Sequence, residues 1–278
     1  MLWWEPTSVE SEGSLSRMDA VTTSASGAIA PASSIMGEWR QFGRFLKRPT
    51  LLPRAPMPRV ASLVATLRLL LLDLAIMLAL LAIAGIVMAA GTELPETALA
   101  GMEMTGGLVF AAVVVAPFTE EIAFRGWLSG RLGHILAILA VVGGAIGATV
   151  LLGAAGFSYG TDALENGLAV MGIGIVAGLL IGVILLFALR KRDAIGWFQR
   201  LFPLFFWLST LAFSLIHIFN FPADQMVMAL PLVLPQFATG AILGYIRVNY
   251  GLWASILLHT LHNGTFIGLV LLAGQASA

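Results

Sequence analysis

The chain has 278 residues, of which 59% are hydrophobic and only 11% are charged, and its mean hydropathy is +0.93. A soluble domain carries about 25% charged residues, so the composition excludes an ordinary soluble protein and predicts one whose solvent is a lipid bilayer. The net charge is +0, and the Lys and Arg residues are few (15) and lie mostly at the ends of apolar runs, which argues against nucleic-acid binding. Zero cysteines exclude disulfides, thiolate catalysis and cysteine-based metal sites.

Two segments precede the apolar part of the chain. Residues 1–36 are rich in Ser, Ala, Thr and Gly without apolar periodicity, which predicts a disordered tail. We expect no cleavable signal peptide, because no apolar core region follows the start. Residues 37–60 combine Trp39 and Phe42 with bases such as Arg40, which predicts a basic amphipathic segment on the membrane surface. Any helix in it ends at the prolines at positions 49, 53, 56 and 58.

The remaining residues, 61–275, are predicted to form one transmembrane domain. Its apolar runs are each near the length of about 20 residues that a spanning helix needs. We therefore predict an all-α, polytopic helix bundle of about seven spans, with six to eight as the range. Pro231 and Pro235 predict a kink in the sixth span. The runs lie near residues 64–90, 107–126, 134–154, 168–189, 201–220, 226–246 and 251–274.

Along the chain, loops that carry basic residues alternate with loops that carry acidic residues. By the positive-inside rule the basic loops face the cytoplasm, which places the N-terminus inside and the C-terminus outside. We expect a multi-pass protein of the bacterial inner (plasma) membrane. The bases of the predicted cytoplasmic side are Arg40, Arg44, Lys47, Arg48, Arg54, Arg59, Arg131, Arg190, Lys191, Arg192, Arg200 and Arg247. The acids of the other loops are Glu93, Glu96, Glu103, Asp162, Glu165 and Asp224.

Ionisable residues inside the predicted spans need a reason, because each costs about 2.5–3.5 kcal/mol on insertion scales. Arg68 and Asp73 lie near the cytoplasmic end of the first span. Arg68 can extend its guanidinium to the interface, and the two side chains could pair. We interpret both as structural residues.

The second span ends in two adjacent glutamates, Glu120 and Glu121, followed by Arg125. On a helix Glu121 and Arg125 share a face and can form an ion pair, whereas Glu120 is rotated by about 100°. The two carboxylates are therefore predicted to have different roles, with Glu121 held by Arg125 and Glu120 free to face a site. A desolvated carboxylate can act as a general base near neutral pH.

Polar residues also interrupt the fifth and seventh spans. The fifth contains His217, and the seventh contains His259, His262 and Asn263. His259 and Asn263 are four residues apart and project together, while His262 lies on a neighbouring part of the surface. The remaining histidine, His134, is interpreted as interfacial. Since three helices each contribute a Glu, a His or a His/Asn pair, we predict one shared polar pocket.

These residues resemble a three-motif signature. Its parts are EExxxR at 120–125, FxxxH at 213–217 and HxxxN at 259–263, each in its own apolar run. The pattern is similar to that of the CPBP family, the CAAX-protease and bacteriocin-processing (Abi) intramembrane endopeptidases related to the type II CAAX prenyl protease. Any single motif is weak, whereas three in this order are specific. The resemblance covers roughly residues 40–270, and His262 is not required by the family pattern.

The resemblance implies a membrane endopeptidase whose site lies within the bilayer and opens toward the cytoplasm. Carried onto this chain, Glu120 and His217 would activate the attacking water, and His259 and Asn263 would stabilise the tetrahedral oxyanion. Glu121 and Arg125 would support the site. The implied partners are a peptide or protein substrate, which could itself be membrane-associated, and the lipid bilayer.

A metal-dependent mechanism is left open by the sequence. Glu120, His217 and His259 make a His₂Glu set of the kind that holds catalytic zinc with one open position. The chain has no HExxH motif, so the zincin arrangement is absent. A glutamate-dependent mechanism without metal and a mechanism with one divalent metal both fit these residues.

Two other functions are alternatives to peptide hydrolysis. A proton-coupled transporter could use Glu and His as a relay, but the chain shows no paired halves. A non-catalytic peptide-binding or bacteriocin-immunity protein could keep the same fold.

The protease hypothesis has one geometric problem. At 1.5 Å per residue, His217 lies about 24 Å along the fifth span and His259 about 12 Å along the seventh. We expect the fifth span to begin later than its apolar run, near Pro203.

Overall fold

The computed structural model describes residues 30–52, 58–97, 102–154 and 163–276. Within these ranges the chain is helical and contains no β-strand. Most of the predicted tail, residues 1–29, as well as Arg54 and Asp162, lies outside the described residues. The helices are α1 (Ile35–Lys47), α2 (Val60–Ala89), α3 (Gly106–Phe110), α4 (Ala116–Arg125), α5 (Leu132–Ala154), α6 (Ala163–Ala188), α7 (Gly196–Arg200), α8 (Phe202–Ile216), α9 (Met226–Ala229), α10 (Leu234–Asn249) and α11 (Leu252–Ala276).

Seven stretches of the described chain are long and apolar enough to cross a membrane, which confirms the predicted all-α polytopic fold. Each overlaps one of the predicted apolar runs. Large apolar side chains such as Ile83 and Leu180 are exposed on them, as lipid-facing positions require. The protein is therefore a multi-pass integral membrane protein. The seven stretches are Val60–Ala89, Gly106–Ser129, Leu132–Leu151, Val170–Ala188, Phe202–Asn220, Ala223–Asn249 and Leu252–Leu272.

The sixth span is broken where its prolines predict a kink. The short helix α9 is followed by a 3₁₀ turn over Leu230–Val233 before α10 begins. Pro231 and Pro235 each stand in the first turn of the segment that follows a break. Proline has no N–H to continue the preceding helix but is tolerated in a first turn, which explains both breaks.

The loops that were predicted to share one side of the membrane also meet in the structure. The backbone N–H of Ile195 donates to the carbonyl of Gly130 at 2.9 Å, and the guanidinium of Arg131 donates to the carbonyl of Arg192 at 2.9 Å. Arg247, expected in a loop, is instead a buried residue of α10 that donates to the carbonyls of Arg125 and Gly126. It thereby satisfies carbonyls that the end of α4 leaves free.

The core is aromatic and includes the N-terminal helix. Phe42 and Phe45 of α1 are buried, and their ring centroids lie 5.4 and 5.0 Å from that of Tyr245. The ring of Phe45 also meets that of Phe206 edge to face at 5.2 Å. The apolar face of α1 is thus packed on the bundle, while Arg40 is exposed. Contact of this basic face with lipid stays a prediction.

A buried carboxylate fixes α1 on the bundle. Glu38 accepts hydrogen bonds from the hydroxyls of Tyr250 and Tyr245, the latter at 3.3 Å, and from the backbone N–H of Ala32 at 2.9 Å. Burial raises the pKa of Tyr250, which keeps its phenol a donor. Arg68 donates to the carbonyls of Ala32 and Ser33. The expected pairing of Arg68 with Asp73 is therefore wrong, because Arg68 binds the segment that leads into α1.

Replacing Glu38 with Ala should lower stability by about 2–4 kcal/mol, since two buried phenols lose their acceptor. For a chain of this size the melting temperature should fall by roughly 5–15 °C, measured by thermal unfolding in detergent micelles. The exposed Glu93→Ala is the matched control, and its melting temperature should not change. Equal melting temperatures for both variants would contradict the anchoring role of Glu38.

Candidate active site

The helix that carries the two glutamates is irregular just before them. Residues Ala111–Val115 form one π-helical turn, in which the N–H of Ala116 donates to the carbonyl of Ala111. In this register the next carbonyl, that of Ala112, would accept from residue 117, which is a proline without an N–H. The side-chain amide of Asn263 donates to Ala112 instead, at 2.8 Å. Because residue 117 is a proline, the Ala112 carbonyl has no backbone donor and can accept the hydrogen bond from Asn263.

Glu121 and Arg125 form the ion pair that their spacing predicts. Arg125 Nη1 donates to Glu121 Oε1 at 2.8 Å, and both side chains are 0% exposed. Arg125 also lies 3.8 Å from the ring centroid of Phe213, a cation–π contact that suits a desolvated cation. Its second amino group points to the carbonyl of Gly240 at 3.5 Å. The pair therefore links α4 to α8 and α10.

Two further donors converge on Glu121 from α11. His259 Nδ1 lies 3.1 Å from Glu121 Oε1, and the hydroxyl of Ser255 donates to Glu121 Oε2. Ser255 was missed by the sequence reasoning. It stands four residues before His259, as Asn263 stands four after, so the three share one face of α11. That spacing was the available signal.

Glu120 faces two imidazole rings rather than Arg125. Its Oε2 lies 3.9 Å from His217 Nε2 and 3.8 Å from His259 Nε2. His217 Nδ1 lies 2.6 Å from the carbonyl of Phe213, so Nδ1 must carry its hydrogen. His259 Nδ1 does the same toward Glu121. In both rings Nε2 is therefore the nitrogen that faces Glu120, and in a neutral ring with its hydrogen on Nδ1 it is an electron-pair acceptor.

Glu120 Oε2 and the two Nε2 atoms thus surround one point. Oε2 of Glu120 is buried and accepts no hydrogen bond from the described residues. A buried acceptor without a donor is costly, and at 3.8 and 3.9 Å neither Nε2 is close enough to hydrogen-bond to it. The side chain of Glu120 is nevertheless 29% exposed, against 17% for His217 and 5% for His259. The space between these three atoms suits a water molecule, which can donate hydrogen bonds, or a cation.

The spacing of these atoms tests the zinc alternative. Tetrahedral zinc with ligand bonds of about 2.0–2.1 Å needs donor atoms separated by roughly 3.4 Å, whereas Glu120 Oε2 stands 3.8 and 3.9 Å from the two nitrogens. Among the described residues, no three His, Asp or Glu side chains are spaced to hold a metal ion. The donor types suit zinc, whereas their separations are wider than tetrahedral zinc needs.

The other two histidines lie outside this cluster. His134 Nδ1 is 2.8 Å from the hydroxyl of Ser129. His262 Nδ1 is 2.5 Å from Asp73 Oδ2 on α2. Of the six predicted site residues, five converge around Glu120 and Glu121. Asn263 lies on the same face of α11 as His259, and its amide binds Ala112.

The fifth span begins near Pro203, as expected, but only one residue after the start of its apolar run. Helix α8 begins at Phe202, with Pro203 in its first turn, so His217 lies 15 residues after its start. That is about 22 Å of helix, against about 10 Å from the start of α11 to His259. Both imidazoles nevertheless reach Glu120. Distance along a helix equals depth in a bundle only where helices start level and run parallel.

Fold and site together define a polytopic membrane protein with a Glu/His cluster among its spanning helices. The family described as "Type II CAAX prenyl endopeptidase Rce1-like" matches residues 103–197 and 183–265. These segments cover more than half of the chain and include all six predicted site residues. The chain belongs to this family and is a CAAX-type membrane endopeptidase. No curated protein and no solved structure matches it significantly.

Replacing Arg125 with Met should destabilise the protein by about 3–5 kcal/mol, because the Glu121 carboxylate would stay buried without its counter-charge. The measurement is thermal unfolding in detergent, with the exposed Arg200→Met as the matched control. An unchanged melting temperature for the Arg125 variant would contradict the structural role of the pair.

Proposed function

We propose that the protein hydrolyses a peptide bond with a water molecule activated by Glu120 and His217. The supporting observation is the group of three atoms formed by Glu120 Oε2 and the Nε2 atoms of His217 and His259, which lie 3.8–3.9 Å from that oxygen. Water placed between Glu120 and His217 would donate one hydrogen to each. Both acceptors would then align its oxygen toward a carbonyl carbon, as general-base catalysis requires.

Glu120 takes the proton as the water oxygen bonds to the carbonyl carbon. When the C–N bond breaks, the same proton passes from Glu120 to the leaving amine, so that the carboxylate is regenerated. His217 keeps the water oriented through its Nε2, and its Nδ1 hydrogen stays on the carbonyl of Phe213. Adjacent Glu121 takes no part in proton transfer, because it is engaged by Arg125, Ser255 and His259.

The oxyanion of the tetrahedral intermediate needs donors. Asn263 Nδ2 carries two hydrogens, of which one binds Ala112, and the second is proposed to bind the oxyanion. His259 is proposed to donate from Nε2 as an imidazolium that is already protonated before the reaction, because its Nδ1 hydrogen goes to Glu121. The neighbouring Glu121 carboxylate stabilises that positive charge. This assignment gives Glu121 an electrostatic role through His259.

The substrate is proposed to be a peptide or protein at the membrane, cut by a site that opens to the cytoplasm of a bacterial cell. The orientation rests on the positive-inside distribution of Lys and Arg. Access is favoured on the side of Glu120 and His217, which are more exposed than His259 and Glu121. Prenylation of the substrate is not implied by any residue of this chain.

Replacing Glu120 with Gln should reduce cleavage by roughly 10²–10⁴-fold while the melting temperature stays unchanged, because the amide keeps the shape of the side chain but cannot take the proton. The measurement is a proteomic comparison of cells that express wild type or the Gln variant at matched levels. At least one protein should accumulate uncut. The exposed Glu96→Gln is the matched control.

His217→Asn should give the same accumulated protein. Identical proteomes for wild type and Glu120→Gln would contradict the protease function and favour a non-catalytic, peptide-binding role. A peptide that spans the cleavage site of the accumulated protein then serves as a substrate for kinetics with purified enzyme.

Cleavage of that peptide should persist after dialysis against a strong zinc chelator. The separations of 3.8 and 3.9 Å around Glu120 Oε2 are wide for tetrahedral zinc, so elemental analysis should find less than one metal ion per chain. One tightly bound zinc per chain, with activity lost on its removal and restored on its return, would overturn the metal-free mechanism.

A further inference from the structure

A second buried carboxylate meets an imidazole near the candidate active site. Asp73 of α2 is 0% exposed. Its Oδ2 lies 2.5 Å from His262 Nδ1 of α11, and its Oδ1 accepts a hydrogen bond from the hydroxyl of Thr239 of α10 at 2.6 Å. Asp73 lies outside the segments that match the family, residues 103–197 and 183–265. The proposed reaction uses none of these three side chains.

This cluster has the same construction as the one around Glu121. In each, a fully buried carboxylate binds the Nδ1 of an α11 histidine with one oxygen and a hydroxyl with the other. His259 and His262 are three residues apart, so they point about 60° apart around α11 and about 4.5 Å apart along it. The helix is therefore held by α4 on one side and by α2 on another.

Contacts to α4 and to α2, which lie in different directions, restrict motions of α11 that contact with α4 alone would allow. Ser255, His259 and Asn263 all hold α11 by one face, and a helix held by one face can still tilt relative to its other neighbours. An imidazole nitrogen extends roughly 6–7 Å from the helix axis, so a rotation of 15° moves it by about 1.5–2 Å. A misplacement of about 1 Å can cost 10²-fold in rate. The orientation of α11 therefore has a large effect on where His259 Nε2 stands.

We propose that Asp73 and His262 are positioning residues that set the rotation of α11, so that His259 Nε2 faces Glu120. The inference rests on the proposed function, since the orientation matters through the catalysis assigned to His259 and Asn263. Thr239 orients the carboxylate by occupying its second oxygen. Neither Asp73 nor His262 touches the substrate or the reacting atoms.

Kinetics with the substrate peptide test the proposal. Asp73→Asn and His262→Leu should each lower kcat at least tenfold and leave KM within about twofold, at a temperature where both variants are folded. His262→Gln retains a donor for Asp73 and should recover kcat to within about threefold of wild type. The exposed Asp224→Asn is the matched control. A pair that only stabilises the fold would lower the melting temperature without changing kcat of the folded enzyme.

The absence of cysteine from the chain allows a second measurement that needs no activity. Spin labels on cysteines at the exposed positions Ile86 of α2 and Leu269 of α11 report the distance between the two helices. Asp73→Asn should shift or broaden the distance distribution measured by pulsed electron resonance, and Asp224→Asn should not.

Unchanged kcat in the Asp73→Asn variant, or an unchanged distance distribution, would each overturn the positioning role. Glu120→Gln is assayed in parallel to separate this result from the proposed function. If Glu120→Gln cleaves the peptide as wild type does, the proposed function fails. If only Glu120→Gln is inactive, the proposed function stands and the positioning role of Asp73 and His262 fails.

Discussion

The buried ion pair of Glu121 and Arg125 is the constraint on which the candidate site depends. Removing two charges from water costs several kcal/mol per ion, and only good geometry with further hydrogen bonds offsets that cost. Here Ser255 and His259 satisfy the carboxylate, and the ring of Phe213 covers the guanidinium. Because these partners come from α8 and α11, the pair is stabilised only when the helices of the site are in place.

The two adjacent glutamates have different surroundings. Glu121 is fully buried within its network, whereas Glu120 is 29% exposed and has an unpartnered oxygen among the described residues. Two carboxylates whose surroundings differ so strongly can divide structural and chemical roles. The two side chains point in different directions because neighbouring helical residues are rotated by about 100°. Their roles then differ because each side chain contacts different residues.

Helix α11 collects the contacts that make the site. Its face with Ser255, His259 and Asn263 meets α4 and the π turn, where Pro117 leaves the carbonyl of Ala112 free. A neighbouring face presents His262 to α2. Helix α2 also packs against α1, so it contacts both the helix that carries Glu38 and, through Asp73 and His262, the helix that carries His259.

Features that depend on neighbouring residues could be predicted from the sequence. Hydropathy predicted the seven spans, the prolines predicted the break in the sixth, and helical spacing predicted the Glu121–Arg125 pair. The three motifs indicated the family. Each of these follows from the fixed rise and rotation of a helix or from the thickness of a bilayer.

Which distant side chains meet follows from the tertiary structure. It pairs Asp73 with His262 instead of Arg68 and brings Ser255 to Glu121. It also brings His217 and His259 to the same glutamate, Glu120, despite their unequal distances along their helices. Such contacts depend on the rotation, tilt and starting level of whole helices. Packing between helices sets these quantities, and an apolar run predicts that a helix spans the membrane without specifying what its polar residues will face.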